Sequence, residues 1–277
     1  DLLADVEVLA GDVRDPFCVQ RAAADVDTVF HLAALIPIPY SYLAPLEFVQ
    51  TNIEGTLNVL EAARRYGTRR VLHTSTSETY GTARYTPIDE DHPLQGQSPY
   101  AASKIGADKL AESYARSFGT PVVTVRPFNT YGPRQSARAF LPTVLSQALT
   151  GDRVRVGSLE PVRDMNYVTD TVAGFLAAAT APGIEGLVIN LGSGRGVSMR
   201  ELLDLALRAT GRAVRVEQEA ERVRPEASEV MQLVCDATRA RDRLGWRPAV
   251  GLEEGLRRTA EWMAQHLSDY KPRLYNV

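Results

Sequence analysis

Asp27-Thr28-Val29-Phe30-His31-Leu32-Ala33-Ala34 is an almost unbroken apolar run, the pattern of a parallel strand covered on both faces. Upstream, Val6-Glu7-Val8-Leu9-Ala10 alternates and breaks at Gly11-Asp12, as a short strand does on entering a loop. Between them, Pro16 to Ala24 has room for a short helix. Downstream, Val49, Ile53, Leu57 and Leu60 keep a 3.6-residue period from Leu46 to Tyr66, and Gly67 stops it. Arg70-Val71-Leu72-His73-Thr74 is the next strand. A second long helix runs from Tyr100 to Phe118 and closes at Gly119, and Val122-Val123-Thr124-Val125 follows as a further strand. Strands alternating with helices at this spacing predict an α/β fold, a Rossmann-type doubly wound parallel sheet.

After about Asn129 helical segments dominate, at roughly Ala137 to Leu149, Thr169 to Ala179, Met199 to Thr210 and Leu252 to Leu267. Ser198 and Glu201 make the S-x-x-E capping box that opens the third of these. With no linker or internal repeat, this half is expected to interleave with the first. Gly192-Ser193-Gly194-Arg195-Gly196 follows a strand but lacks the G-x-G-x-x-G spacing, so it reads as a tight turn into the capped helix and not as a phosphate loop.

The 277 residues are 44% hydrophobic and 23% charged, a globular composition that excludes disorder as the main state. A formal net charge of -3 leaves no footprint for non-specific nucleic-acid binding. No apolar run approaches the ~18 residues that suggest a membrane span. Two cysteines, Cys18 and Cys235, exclude a disulfide scaffold and point to a reducing, cytoplasmic setting. The histidines His31, His73, His92 and His266 have no metal-ligand spacing, so no metal is expected. Of 31 basic residues only Lys104, Lys109 and Lys271 are lysines, which draws attention to each.

Tyr100 and Lys104 stand four residues apart, so both project from one helix face. A cation there is expected to favour the phenolate and suit Tyr100 to general-base work. The strand ending at His73 runs on into Thr74-Ser75-Thr76-Ser77-Glu78. Hydroxyls at the carboxyl end of a parallel strand sit where open α/β sheets bind ligands, and Glu78 would place a carboxylate beside that crevice.

Tyr100-x-x-x-Lys104 with Thr76, Arg126-Pro127-Phe128-Asn129-Thr130-Tyr131-Gly132-Pro133, and Arg163-Asp164-x-Asn166-Tyr167-Val168 together resemble the extended short-chain dehydrogenases that modify nucleotide sugars. The resemblance runs from Gly11-Asp12 to Trp246. Thr76-Ser77-Glu78 is similar to the 4,6-dehydratases, GDP-mannose 4,6-dehydratase included, where 4-epimerases carry small or apolar residues. Pro93 to Ser103, Arg134 to Arg138 and the terminal Tyr275-Asn276-Val277 resemble most closely the UDP-N-acetylglucosamine 4,6-dehydratases of the legionaminic acid pathway. A 4-epimerase, a decarboxylase, a 5,6-dehydratase, a GDP-mannose 4,6-dehydratase and a non-catalytic NAD-binding relative stand as alternatives.

The resemblance implies NAD as a recycled cofactor, a nucleotide-diphosphate sugar as substrate and a homodimer. It implies catalysis by Tyr100, Lys104, Thr76 and Glu78, with Ser77 orienting the carboxylate. Asp12, Val13, Leu32, Ala33, Ala34, Thr74, Ser75, Tyr100 and Lys104 match cofactor positions, and Asn129, Arg134, Arg163 and Arg224 match substrate positions. Residues 1–135 correspond to the NAD-binding domain and 136–277 mainly to a substrate lobe. The family's glycine-rich loop and first strand are absent from these residues, so roughly 40–65 residues, a βαβ-sized unit, are expected to precede Asp1. The dimer would pair the helices 46–66 and 100–118, whose apolar positions Val49, Ile53, Leu60, Ala101, Ile105, Leu110 and Tyr114 exceed what one buried face needs.

Overall fold

The computed structural model describes residues 5–271, so Tyr275, Asn276 and Val277 lie outside the described residues. In chain order the first half carries α1 (Pro16–Ala23), β1 (Thr28–His31), α2 (Ile38–Leu43), α3 (Pro45–Phe48), α4 (Gly55–Tyr66), β2 (Arg70–Thr74), α5 (Pro99–Phe118) and β3 (Val122–Pro127). The second half carries β4 (Asn129–Tyr131), α6 (Phe140–Thr150), β5 (Arg153–Val156), β6 (Val162–Tyr167), α7 (Val168–Thr180), β7 (Val188–Leu191) and β8 (Gly196–Ser198). It continues through α8 (Met199–Thr210), β9 (Arg215–Gln218), β10 (Gln232–Leu233), α9 (Thr238–Leu244) and α10 (Leu252–Gln265).

The main sheet is parallel, in the order β1-β2-β3-β7. Its middle strand β2 is buried from Arg70 through His73, because helices cover both faces. On one side Leu60, Ala63, Val71, Ala111 and Val122 pack together between the sheet, α4 and α5. On the other, Leu72, Val123, Ile189 and Leu191 pack against Phe175 and Ala178 of α7 and Trp246. Each of the larger aliphatic side chains and Phe175 contributes about 1.5–3 kcal/mol through burial, and the alternation of strand and helix makes the two covers possible. The chain leaves this sheet after β3, builds β4 to β6, and returns as β7. A second sheet runs β10-β6-β4 with β8 antiparallel on β6, and β5 pairs with β9. A separate core lies among Leu141, Leu145, Leu202 and Leu256, on α6, α8 and α10.

Start and stop signals act as chemistry dictates. Ser98 Oγ accepts from Ala101 N at 3.1 Å, Pro99 opens α5, and Gly119 at φ 65° closes it. Ser198 Oγ caps α8 through Glu201 N at 3.1 Å. Three expectations change. Val6–Ala10 is not a strand: among the described residues it has no neighbour to pair with, and Val6, Val8 and Leu9 are exposed. The strand expected over Asp27–Ala34 shortens to Thr28–His31. The helix expected from Leu46 to Tyr66 is interrupted by a π turn over Val49–Glu54. Of the apolar positions read as a pairing surface, Leu60, Ala101 and Tyr114 are buried in the chain's own core, whereas Val49 is exposed. No helix among the described residues is long and apolar enough to cross a membrane.

Candidate active site

A cavity of about 630 Å³ opens at the carboxyl ends of β2 and β3, where an open α/β sheet presents its ligand crevice. Thr76, Glu78 and Tyr100 line one part of it, and Asn129, Arg163 and Arg224 also line it. Thr74, Thr76 and Glu78 are half-buried while Ser75 and Ser77 are buried. Thr76 then caps the short 3₁₀ turn Ser77–Tyr80, its hydroxyl accepting from Glu78 N at 3.2 Å.

Tyr100 and Lys104 sit on the first turns of α5, and Phe48 meets the Tyr100 ring edge-on at 6.2 Å. Burial raises the phenol's pKa, while its hydrogen bond with Thr76 pulls the other way and Glu78 pushes it up again. Burial brings Lys104 down to about 8, with Asp108 opposing. The hydrogen bond made by Lys104 Nζ goes to Thr74 O at 2.6 Å. Against the lowering expected from the spacing of Tyr100 and Lys104, desolvation dominates and the phenol is pushed up.

Several sequence expectations are redrawn by contacts. The Ser75 hydroxyl, expected at the cofactor, donates to Asp108 Oδ2 at 2.7 Å inside the core. Ser77, expected to orient Glu78, is 2% exposed and does not itself line the cavity. Arg134 is exposed and off the cavity wall, where Gln135, Ser136 and Arg138 stand instead. Asp12 is exposed and bound by Arg14, with Nη2 at 2.7 Å. Val13 is half-buried against α4, where a Cβ on Gly55 would meet Val13 Cγ1 at 2.6 Å. Leu32 and Ala33 are exposed just beyond β1, and Ala34 is half-buried.

The loop Gly192–Gly196 is a nest already filled from within. The Asp164 carboxylate accepts from Ser193 N and Gly194 N, both at 2.8 Å, and from Ser193 Oγ at 2.6 Å and Cys235 N at 3.1 Å. Gly192 is needed for close approach, since a Cβ there would lie 2.4 Å from Cys235 Cβ.

Asn52, in the π turn, was not anticipated. Its Nδ2 donates to Leu35 O and Ser103 Oγ, both at 2.9 Å, and its Oδ1 accepts from Leu35 N at 2.8 Å. It thereby ties the loop that walls the cavity at Ile36 to Pro39 onto α5. A π turn wedged into a helix commonly marks such a site.

His31 lies beneath β1's end, with Nε2 2.9 Å from Thr56 Oγ1, and burial together with His73 and Lys104 brings its pKa from 6.5 to about 3. The native state holds it neutral, so below 6.5 the unfolded chain binds the extra proton. Stability is therefore expected to be complete above about 6.5 and to fall as pH drops towards about 3. The slope from this one group is at most about 1.4 kcal/mol per pH unit. Urea midpoints at about pH 7 and about pH 5 measure it. His31→Gln should flatten the slope, and an unchanged slope would remove His31 as its source.

A doubly wound parallel sheet, with a Tyr-x-x-x-Lys helix beside a cavity at its carboxyl edge, defines an extended short-chain dehydrogenase/reductase. The sequence profile described as GDP-mannose 4,6 dehydratase matches residues 2–259. The dTDP-glucose 4,6-dehydratase of Streptomyces griseus is 37% identical over 254 residues, 91% of this chain and 76% of the relative. The dTDP-glucose 4,6-dehydratase of Streptomyces venezuelae, solved with NAD bound, superposes with a TM-score of 0.86 at 30% identity, covering 95% of this chain and 80% of that one. An NAD-dependent NDP-hexosamine 5,6-dehydratase of tunicamycin biosynthesis gives 0.82 at 34% identity, covering 89% and 80%. The chain belongs to the NAD-dependent nucleotide-sugar 4,6-dehydratase family.

Proposed function

We propose that the protein removes water from a nucleotide-diphosphate N-acetylhexosamine, UDP-N-acetylglucosamine, to give the 4-keto-6-deoxy sugar. The observation that carries the reaction is the meeting of Thr76, Glu78 and Tyr100 with Asn129, Arg163 and Arg224 in one cavity. Lys104, 3% exposed and bonded to Thr74 O, keeps two donors for a ribose. The Thr74 hydroxyl is buried without a partner, a further group suited to the dinucleotide. When bound, NAD supplies an oxidised nicotinamide that takes a hydride from C4 and returns one to C6, and its positive charge favours the tyrosinate.

Tyr100 takes the proton of the 4-hydroxyl, with Thr76 sharing its hydrogen bond. The 4-ketone acidifies the C5 proton, which Glu78 removes. Glu78 passes that proton to the C6 hydroxyl as it leaves, so one water departs. A proton equivalent to the one held by Tyr100 is restored at C5, and the balance closes. The glutamate in the cavity favours this course over 4-epimerisation, which needs no base at C5.

Arg163 and Arg224 suit a diphosphate because a guanidinium fork engages two oxygens. Asn129 adds an amide whose Nδ2 is buried without a partner. The N-acetyl group is assigned to the wall at Ile36, Pro37, Ile38 and Tyr42, an apolar surface that a methyl group fills. Dehydration of UDP-N-acetylglucosamine, UDP-glucose, GDP-mannose and dTDP-glucose, compared by kcat/KM, tests the assignment. The first is expected to lead by about tenfold, about 1.4 kcal/mol in transition-state binding. A tenfold lead for dTDP-glucose or GDP-mannose would overturn the sugar and base and leave the reaction standing.

A further inference from the structure

Where the diphosphate is assigned, the chain already holds an anion of its own. Glu229 Oε1 lies 3.3 Å from Arg163 Nη2 and 3.5 Å from Arg224 Nη1, and all three residues line the cavity. The carboxylate is 14% exposed and Arg163 is 8% exposed, so the contact is shielded from solvent screening. A buried guanidinium without a counter-charge is costly, and Glu229 offsets that cost while the cavity is empty of substrate. It presents to the two forks what a phosphate would present, negative oxygens at hydrogen-bond range.

The segment carrying Glu229 is not free to retreat. Ser228 Oγ donates to Gln97 O at 2.7 Å and shares a hydrogen bond of 2.6 Å with Tyr42, which lines the cavity. Val230 is buried at 2% exposure, and Met231 N donates to Thr82 Oγ1 at 3.3 Å. The backbone is thus fastened on both sides of Glu229. An arriving diphosphate meets a carboxylate that can turn about its own side chain but stays close by.

We propose that Glu229 is an internal counter-anion that competes with the diphosphate for Arg163 and Arg224 and so limits how tightly nucleotide diphosphates are held. This rests on the assignment of those two arginines above. The competition holds the two guanidinium groups in place before binding, and repulsion between like charges speeds departure of the product, which carries the same diphosphate as the substrate.

The test is calorimetric titration of the NAD-loaded protein with UDP, and with dTDP in parallel so that an error in the base does not decide the result. Glu229→Gln keeps size and removes charge, and is expected to tighten nucleotide diphosphate binding about fivefold and to strengthen product inhibition. Glu229→Asp, which withdraws the carboxylate by one methylene, should shift binding the same way by about twofold and serves if the glutamine variant does not fold. Glu226→Gln changes the net charge equally at an exposed position in the same segment, and is expected to leave binding unchanged. Unchanged or weaker binding in the folded Glu229 variants would overturn the proposal, as would equal tightening in Glu226→Gln. Arg224→Met separately tests the arginine assignment: if it leaves binding of both diphosphates intact, that assignment fails whatever Glu229→Gln does.

Discussion

Glu78→Gln is expected to oxidise C4 at close to the normal rate while formation of the 4-keto-6-deoxy sugar falls about 10²–10⁴-fold, the usual worth of a positioned general base. The two steps separate because they use different side chains. In the proposed mechanism Tyr100 and Thr76 act at the 4-hydroxyl, and Tyr100 is held on α5 by its packing against Phe48 and Ile38. Glu78 reaches the cavity from the turn that Thr76 caps, so its amide keeps the backbone bond to Thr76 and loses only the base. Tyr100→Phe should instead stop both steps, since no proton leaves the 4-hydroxyl. Single-turnover absorbance of the dinucleotide reports C4 oxidation, and chromatography of the sugar product reports dehydration. Wild-type dehydration by Glu78→Gln would show that another group takes the C5 proton. Loss of both steps in that variant would show that the carboxylate acts at C4 as well.

The parts of this site that were legible in the sequence are those governed by local rules. Ser98, Pro99 and Gly119 bound α5, and a spacing of four residues puts Tyr100 and Lys104 on one face of it. The run Thr74 to Glu78 follows a strand, so its hydroxyls had to lie at the sheet's carboxyl edge. What stayed hidden depends on partners far away in the chain. The alternation Val6–Ala10 reports strand propensity and says nothing about whether a neighbour is there to bond. A 3.6 period over four turns does not resolve the one π turn that aims Asn52 at Leu35 and Ser103. Ser75 looks equivalent to Thr74 and Thr76 by composition, yet it turns towards Asp108. Among 28 arginines, composition favours none. Arg134 faces solvent, and only the fold shows Arg163 and Arg224 converging on Glu229.

Asp108→Asn is expected to lower the unfolding free energy by about 3–5 kcal/mol, a large share of the ~5–15 kcal/mol that a native domain holds. Asp108 is 4% exposed and accepts from His73 Nε2 at 2.9 Å, Ser75 Oγ at 2.7 Å, and Arg126 Nε and Nη2 at 3.2 and 2.8 Å. Burial alone would raise its pKa, but His73 and Arg126 hold the carboxyl well below its usual range. Arg126 in turn donates to Tyr80 Oη at 3.0 Å, and Tyr80 donates to Asn190 Oδ1 at 2.7 Å. The network therefore pins β2, β3, β7 and α5 to one another. Neutralising Asp108 leaves the Arg126 guanidinium buried without its counter-charge, which is why the loss exceeds that of a single hydrogen bond. Asp108→Asn combined with Arg126→Met should recover part of it, because no charge is then stranded. A second readout reaches the chemistry. Asp108 opposes the burial that brings Lys104 down to about 8, so its removal should move the alkaline limb of the rate profile to lower pH as Lys104 loses its proton sooner. Urea denaturation with an unchanged m-value measures the first effect. A loss under about 1 kcal/mol, with an unmoved alkaline limb, would mean that the four bonds to Asp108 neither hold the sheet nor support Lys104.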